Sequence, residues 1–207
     1  MKIIINNKLL DFDNKEENIN KIFETINSIL TESELELSCL IIDGKPVKKE
    51  FYQYFKENIQ TIREVVVEVI TVGVIVNETL DSACKYIEDI ILLIKPLSEE
   101  FYQLPKQNSW QDLANLFEGM QWLMETVNRI DSFNHLERFV SDYGIWNEYV
   151  QIIKSLSDVI LELEGAMVNQ DHVLIGDLLQ YEILPIFEQA EEKLIFLSAT
   201  GGNHRVS

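Results

Sequence analysis

The spacing of apolar residues changes once along this chain, from about residue 77 onward, and this change constrains the fold more than any other sequence feature. Before it, apolar and polar residues alternate in several short runs, the period of a β-strand with one buried face. After it, apolar residues recur every three to four positions, the period of an amphipathic helix. We therefore expect a small α+β domain over residues 1–72, a helical domain over residues 73–200 and a flexible tail over residues 201–207.

The first region has the order strand, strand, helix, strand, strand, short helix, strand. Asn6-Asn7 and Asp43-Gly44 indicate two hairpin turns, because these residue types tolerate the positive φ of a tight turn. The short helix is expected around Glu50–Asn58, and the Val-rich run TIREVVVEVITV favours a final strand. The longer helix is indicated by apolar residues at helical spacing, namely Ile19, Ile22, Phe23, Ile26, Ile29 and Leu30. This order predicts a β-grasp-like sheet that covers one helix.

Four long helices are expected after the change of period. The first, third and fourth cover approximately residues 77–104, 145–167 and 171–194. The second opens at NSWQDL, with Ser109 or Asn108 as its N-cap, and Asp171 is the expected N-cap of the fourth. Pro96 is expected to bend or end the first of them, because proline lacks the backbone N–H of a helix interior. Short connections between long amphipathic helices make antiparallel neighbours, so the sequence predicts an antiparallel four-helix bundle.

The charge of the chain excludes one large class of partners. The formal net charge is −18, with nine basic and thirteen acidic residues in positions 1–71 and eight basic and twenty-two acidic residues in the remainder. No cluster of Lys and Arg offsets this charge, so binding to a nucleic-acid backbone is not expected. No apolar run of about 18 residues predicts a membrane span. The two isolated cysteines, Cys39 and Cys84, indicate free thiols and a cytoplasmic protein.

No catalytic residue, metal ligand set or cofactor is expected. A carboxylate-bridged metal bundle needs the pattern Glu-x-x-His, and none of His135, His172 and His204 has a carboxylate three residues before it. Glu182 is the one candidate for a partly buried carboxylate, since a helical wheel places it at the margin of the apolar face of the last helix. Two readings stay open: a proton donor or metal ligand with a raised pKa, or an edge carboxylate paired with a Lys, Arg or Tyr of a neighbouring helix.

The last helix is apolar on two sides, which is typical of a helix that packs on two sides. Leu174, Leu178, Tyr181 and Pro185 form its second stripe. We expect this stripe to meet either the N-terminal domain or another subunit, and in the latter case to form a homodimer. Pro185 is expected to kink the helix.

Trp122 stands out on the polar side of the second long helix. A tryptophan there, with Gly119 leaving room for close approach, is typical of an anchor for a protein partner. The alternative is that Trp122 packs within the chain, against the N-terminal domain or an adjacent loop.

Two segments resemble a family of uncharacterised Firmicutes proteins. One is the last helix, with Asp171, the segment 176–179 (GDLL), Tyr181-Glu182 and Pro185; the other is the segment 116–123, LFEGMQWL. The resemblance covers most of residues 75–195. It implies a bacterial cytosolic protein and transfers no catalytic residue.

These observations favour a non-enzymatic protein-interaction module, such as an adaptor, an assembly factor or a chaperone-like protein, whose partner the residues do not name. The candidate interaction surface comprises Trp122, Gly119, Leu174, Leu178 and Tyr181. The alternative is a small-ligand-binding protein or enzyme with a pocket at the junction of the two domains.

Overall fold

The computed structural model describes the backbone of residues 1–201 and the side chains of residues 1–198. The chain divides into two compact units, Met1–Ile75 and a second unit that begins at Val76. The fold is α+β: a five-stranded sheet with its helices precedes a mostly helical region. The expected tail beyond Gly201 lies outside the described residues.

The N-terminal unit contains one mixed sheet. Its strands have the order β2-β1-β5-β3-β4, in which β1 and β5 are parallel and the other neighbours are antiparallel. Its elements are β1 (Lys2–Ile5), β2 (Lys8–Asp11), α1 (Ile19–Glu32), β3 (Leu35–Ile42), β4 (Lys45–Val47), α2 (Phe51–Asn58) and β5 (Glu64–Thr71).

Both hairpin turns lie where the sequence indicates them. Asn6 and Asn7 have φ values of 45° and 61°, and Asp43 and Gly44 have values of 47° and 81°. Positive φ at both central residues gives the two-residue turn whose twist matches that of antiparallel strands. These turn predictions are confirmed. On β3 the register shifts between Leu37 and Cys39, so the alternation along that strand is interrupted.

The core of this unit lies between α1 and one face of the sheet. The helix buries the apolar residues at its predicted spacing, except that Phe23 is only half-buried. The strands contribute the alternate residues Ile3, Ile5, Leu40, Ile42, Val65 and Val67, all buried in the same cluster. Because strand side chains alternate between faces, the intervening residues point away from α1.

The second region of the chain is mostly helical. Its helices are α3 (Val72–Tyr102), α4 (Gln107–Asp131), α5 (Tyr143–Val168), α6 (His172–Asp177), a π-helical segment (Leu178–Ile183) and α7 (Leu184–Gly201). The first of these follows β5 without a connecting loop.

Three predictions about the helix ends are corrected by the structure. The first long helix begins at Val72 rather than near residue 77, and it passes through Pro96 to Tyr102. Proline removes the hydrogen bond to the carbonyl of Leu92, whose side chain is 74% exposed, so water can satisfy that carbonyl. The N-cap of α4 is Lys106, not Ser109 or Asn108; the Ser109 hydroxyl instead accepts the Lys106 backbone N–H at 2.9 Å.

The start of the last helical segment is as expected, but its middle is not. Asp171 is the N-cap of α6, and its carboxylate accepts the backbone N–H of Leu174 at 3.0 Å. The helix then changes to π-helical winding for six residues before Pro185. An uninterrupted α-helix over residues 171–194 is therefore wrong.

Candidate functional site

One end of the helical unit brings together the α3–α4 turn and the start of α6. The rings of Phe101 and Trp110 lie 5.0 Å apart between centroids, and those of Trp110 and His172 lie 5.7 Å apart. Both pairs meet edge to face, the arrangement that aromatic quadrupoles favour. We call these three residues the helix-end cluster.

Four exposed apolar side chains lie close in the chain to the helix ends that carry this cluster. Leu104 is 85% exposed, Val168 84%, Val173 57% and Leu174 40%. Leu104 follows α3, Val168 ends α5, and Val173 and Leu174 lie in the first turn of α6, so all four belong to the same end of the unit. Apolar groups clustered at one surface, unlike ones scattered singly, are typical of sites that bind other proteins.

A phenol and a carboxylate attach α6 to α3 beside this surface. The Tyr102 hydroxyl donates to Asp177 Oδ1 at 2.7 Å. This hydrogen bond raises the pKa of Tyr102 to about 12, because the carboxylate stabilises the protonated phenol. The Tyr102 ring lies on Gly176, where a Cβ atom would come within 2.8 Å of it. Glycine at position 176 therefore permits the close approach of the two helices.

A buried polar pair extends this attachment by one turn. The Ser98 hydroxyl, which is fully buried, donates to Gln180 Oε1 at 3.1 Å. Gln180 belongs to the π-helical segment and Asp177 directly precedes it. Side chains of α3 therefore bind one residue before this segment and one within it.

The π-helical segment has an identifiable hydrogen-bonding pattern. The Leu184 N–H bonds the carbonyl of Leu179, five residues back, and Pro185 has no N–H. The Gln180 carbonyl therefore receives no hydrogen bond from the N–H of Leu184, which bonds Leu179, and none from Pro185, which has no N–H. π-Helical turns are frequent at functional sites, which adds weight to this end of the unit as the candidate site.

Three predicted site residues of the last helix differ in their exposure. Glu182 is exposed, so the expectation of a buried carboxylate is wrong. Leu178 is only 4% exposed and cannot line a free surface, whereas Tyr181 is 62% exposed.

Trp122 and Gly119 lie against a tyrosine of the same unit. The rings of Trp122 and Tyr86 lie 5.8 Å apart between centroids, edge to face, and Trp122 is half-buried. The Tyr86 hydroxyl occupies the position that a Cβ atom at Gly119 would need. The space that Gly119 was expected to leave for a partner is therefore filled from within the unit.

Two buried phenols in this unit lack hydrogen-bond partners, Tyr86 and Tyr149. Burial raises the pKa of Tyr86 to about 12 and raises that of Tyr149 further. Among the described residues, no three His, Cys, Asp or Glu side chains are grouped so that they could hold a metal ion. Within the same part of the chain, no helix is both long and apolar enough to cross a membrane.

Sequence reasoning identified Leu174 and Tyr181 at this end but missed Tyr102, Gly176, Trp110 and the exposed Leu104. Gly176 was the available signal, because a glycine inside an apolar helical pattern often marks a close approach. The residue that approaches it lies 74 positions earlier in the chain, and no local pattern indicates it.

Two family models match the chain, and both describe domains. Residues 1–71 match the TP0873 N-terminal domain, and residues 78–193 match a domain of unknown function, DUF8042. No curated protein and no solved structure gives a significant match. Since the second model spans more than half of the chain, this protein belongs to the DUF8042 family, a family defined by a domain of unknown function.

Proposed function

We propose that this protein is a non-enzymatic protein-interaction module, of the adaptor, assembly-factor or chaperone-like kind, and that the helix-end cluster with its exposed rim binds the partner. The observation that carries this proposal is the exposure of Leu104, Val168, Val173 and Leu174 at one end of the helical unit.

The framework beneath these side chains supports a binding role. The Tyr102–Asp177 and Ser98–Gln180 hydrogen bonds hold α6 and the π-helical segment against α3. A surface fixed in advance loses less conformational entropy on binding than a flexible one. The exposed apolar groups are thus presented on a scaffold whose arrangement does not depend on the partner.

We infer a finer architecture for both units. The strand order with a central parallel β1–β5 pair, and with α1 on one face, supports a β-grasp assignment for the first unit. Contacts between sequential helices support an antiparallel four-helix bundle for the second, with α6, the π-helical segment and α7 together as the fourth arm. These contacts are Phe101–Trp110, Trp146–Asp131 and Glu148–Lys193.

We further propose that this protein is of bacterial, Firmicutes origin, that it resides in the cytoplasm, and that it has no nucleic-acid or membrane partner. The composition, rich in Ile, Asn, Lys and Glu, and the net charge of −18 support this proposal. A homodimer through the last helix is a further proposal, supported by the exposed ring of Tyr181.

The interaction proposal is tested by charged substitutions within and outside the rim. Leu104→Asp and Leu174→Asp alter exposed rim positions. Leu92→Asp is the matched control because Leu92 is 74% exposed on α3 and lies about 15 Å along the helix axis from its last residue, Tyr102. Each variant is used as affinity bait in cells of the source organism, with crosslinking and quantitative mass spectrometry. We expect at least one protein to be retained by the wild type and the control and lost from both rim variants.

The proposal fails if every retained protein is bound equally by the wild type and by the two rim variants. Circular dichroism of each variant verifies that the helical content is unchanged. Light scattering of the same samples tests the homodimer separately, with Tyr181→Asp as the variant that should dissociate it.

A further inference from the structure

The sheet of the N-terminal unit carries a row of apolar residues that crosses all five strands. The register places Leu9 opposite Ile4, Ile4 opposite Val66, Val66 opposite Ile41, and Ile41 opposite Pro46. Neighbouring strands lie about 4.8 Å apart, so this row is about 19 Å long. We call these five residues the outer row.

The outer row points away from the core of the unit. The neighbours of each central residue along its strand are buried beneath α1, as shown by Ile3 and Ile5 on either side of Ile4. Side chains alternate between the two faces of a sheet, so Ile4 projects from the other face. Val66 and Ile41 follow the same alternation. The three central residues are half-buried, Leu9 is 58% exposed, and Pro46 is exposed.

Acidic residues predominate beside the outer row on β2, β1 and β5. Lys2 lies opposite both Asp11 and Glu64 in the register, so one ammonium group faces two carboxylates. Glu68 lies on the other side of the row, two residues after Val66.

The remaining nearby charges lie at one end of the row. Lys48 and Lys49 follow β4, beyond Pro46. Beside the central strands, the carboxylates of Asp11, Glu64 and Glu68 outnumber the ammonium group of Lys2, so this flank is net negative.

A second copy of this chain is a poor occupant for this face. Two such faces brought together would place the net negative flanks of both copies against each other, which disfavours that contact. A partner with basic residues beside its apolar groups would instead match both features of the central strands.

We propose that the outer row binds an amphipathic helix of a partner protein, whose apolar stripe is flanked by Lys or Arg over β2, β1 and β5. A row about 19 Å long matches about 13 residues of helix, or between three and four turns. Apolar residues at every third or fourth position of such a helix would lie along the row, as in other helix-docking surfaces. This surface is independent of the helix-end cluster, and neither proposal requires the other.

The proposal is tested with two synthetic peptides and the full chain. Both peptides are helical, about 18 residues long, with Leu at helical spacing; one carries Lys on its flanks and the other carries Glu. Binding is followed by fluorescence anisotropy and by the NMR signals of isotope-labelled isoleucine methyl groups. We expect the Lys-flanked peptide to shift the methyl signals of Ile4 and Ile41, while those of Ile3 and Ile42 in the core stay in place.

A matched pair of substitutions locates the site. Val66→Thr keeps a β-branched residue on the strand but removes apolar surface from the outer row, and we expect about tenfold weaker binding. Ile70→Thr makes the same kind of change on the same face of β5, opposite Glu36, and we expect less than about twofold change because it lies outside the row. Unchanged Ile3 and Ile42 signals show that each variant is folded.

Four outcomes would overturn the proposal. They are no shift at Ile4 and Ile41, equal binding of the Glu-flanked peptide, equal weakening by both substitutions, and a dimer by light scattering that Val66→Thr dissociates. The last outcome would assign the face to a second copy of the chain.

Discussion

Each of the two units is stabilised internally by a different kind of polar contact. In the N-terminal unit, side chains bond backbone groups: Asn14 Nδ2 donates to the carbonyls of Ile59 and Ile62, and the Asp43 carboxylate accepts the N–H groups of Arg63 and Glu64. These contacts hold the loops that enter and leave the strands. The unit is therefore fixed where its chain turns.

In the helical unit, several of the polar contacts that join elements connect one side chain to another. Tyr102–Asp177, Ser98–Gln180 and Ser109–Glu100 are examples, with donor–acceptor distances of 2.7, 3.1 and 2.6 Å. Helix backbones satisfy their own hydrogen bonds, so they offer few groups to neighbours, and side chains must make the connections. The N-terminal unit is thus stabilised through the backbone of its loops, whereas the helical unit depends on pairs of side chains on neighbouring helices.

The largest expected effect concerns the loop contact of the first unit. Asn14→Ala removes two hydrogen bonds to backbone carbonyls and leaves partly buried acceptors without donors, so we expect a loss of about 2–3 kcal/mol in the free energy of unfolding. Hydrogen exchange of the β1 and β5 amides measures this loss.

The control for this prediction is Asn27→Ala, at an exposed position of α1, which should change stability by less than about 0.5 kcal/mol. Trp110, Trp122 and Trp146 all lie in the helical unit, so tryptophan fluorescence follows that unit alone. If Asn14→Ala destabilised the helical unit, as followed by tryptophan fluorescence, as much as it destabilises the N-terminal unit, the contact would not act on one unit alone. The contrast between the two units would then be wrong.

An intermediate effect is expected where a glycine admits a distant ring. Gly119→Ala places a Cβ atom where the Tyr86 hydroxyl lies, and we expect it to cost about 1–3 kcal/mol because a buried ring must move. Gly165→Ala is the matched control on α5, where a Cβ atom would meet nothing within 4 Å.

That control should instead stabilise the helical unit by about 0.5–1 kcal/mol, because alanine favours a helix more than glycine does. Chemical denaturation followed by tryptophan fluorescence measures both values. The same sign for the two substitutions would show that the packing of Tyr86 on Gly119 is not a constraint.

The smallest expected effect concerns the phenol beside the helix-end cluster. Tyr102→Phe removes the hydrogen bond to Asp177, and we expect it to cost about 0.5–1 kcal/mol at neutral pH because the pair is solvent-accessible. The pKa of Tyr102 is raised from about 10 to about 12, so its protonated form is favoured in the folded state.

The stability that this phenol contributes is fully present below pH 10 and is lost as the pH rises toward 12. The wild type should therefore lose more stability than Tyr102→Phe across that interval, measured by denaturation at a series of pH values. The buried phenols Tyr86 and Tyr149 titrate in both proteins, so only the difference reports on Tyr102. Parallel curves for the two proteins would contradict the assignment.

Much of the N-terminal unit could be predicted because its signals are local. Asn6-Asn7 and Asp43-Gly44 specify positive φ by their own chemistry, and the alternation of the strands follows from the turns. In the helical unit, Asp171 was predicted as an N-cap for the same reason, since its carboxylate bonds an N–H three residues away. The candidate site was predicted only in part. Leu174 and Tyr181 are exposed, as a surface requires, but Leu178 is buried and Glu182 is exposed, the reverse of what was expected. Trp122 packs on Tyr86.

The order of residues by itself determined the α+β class, the two hairpin turns and the Asp171 cap, which neighbouring atoms satisfy. Only the tertiary structure decided that the last helix changes its winding before Pro185, that Tyr102 lies on Gly176, and that Tyr86 fills the space at Gly119. The physical reason is the range of the interactions. A turn or cap is a contact over two or three residues, whereas helix packing joins side chains separated by tens of residues, and their meeting depends on the whole path of the chain between them.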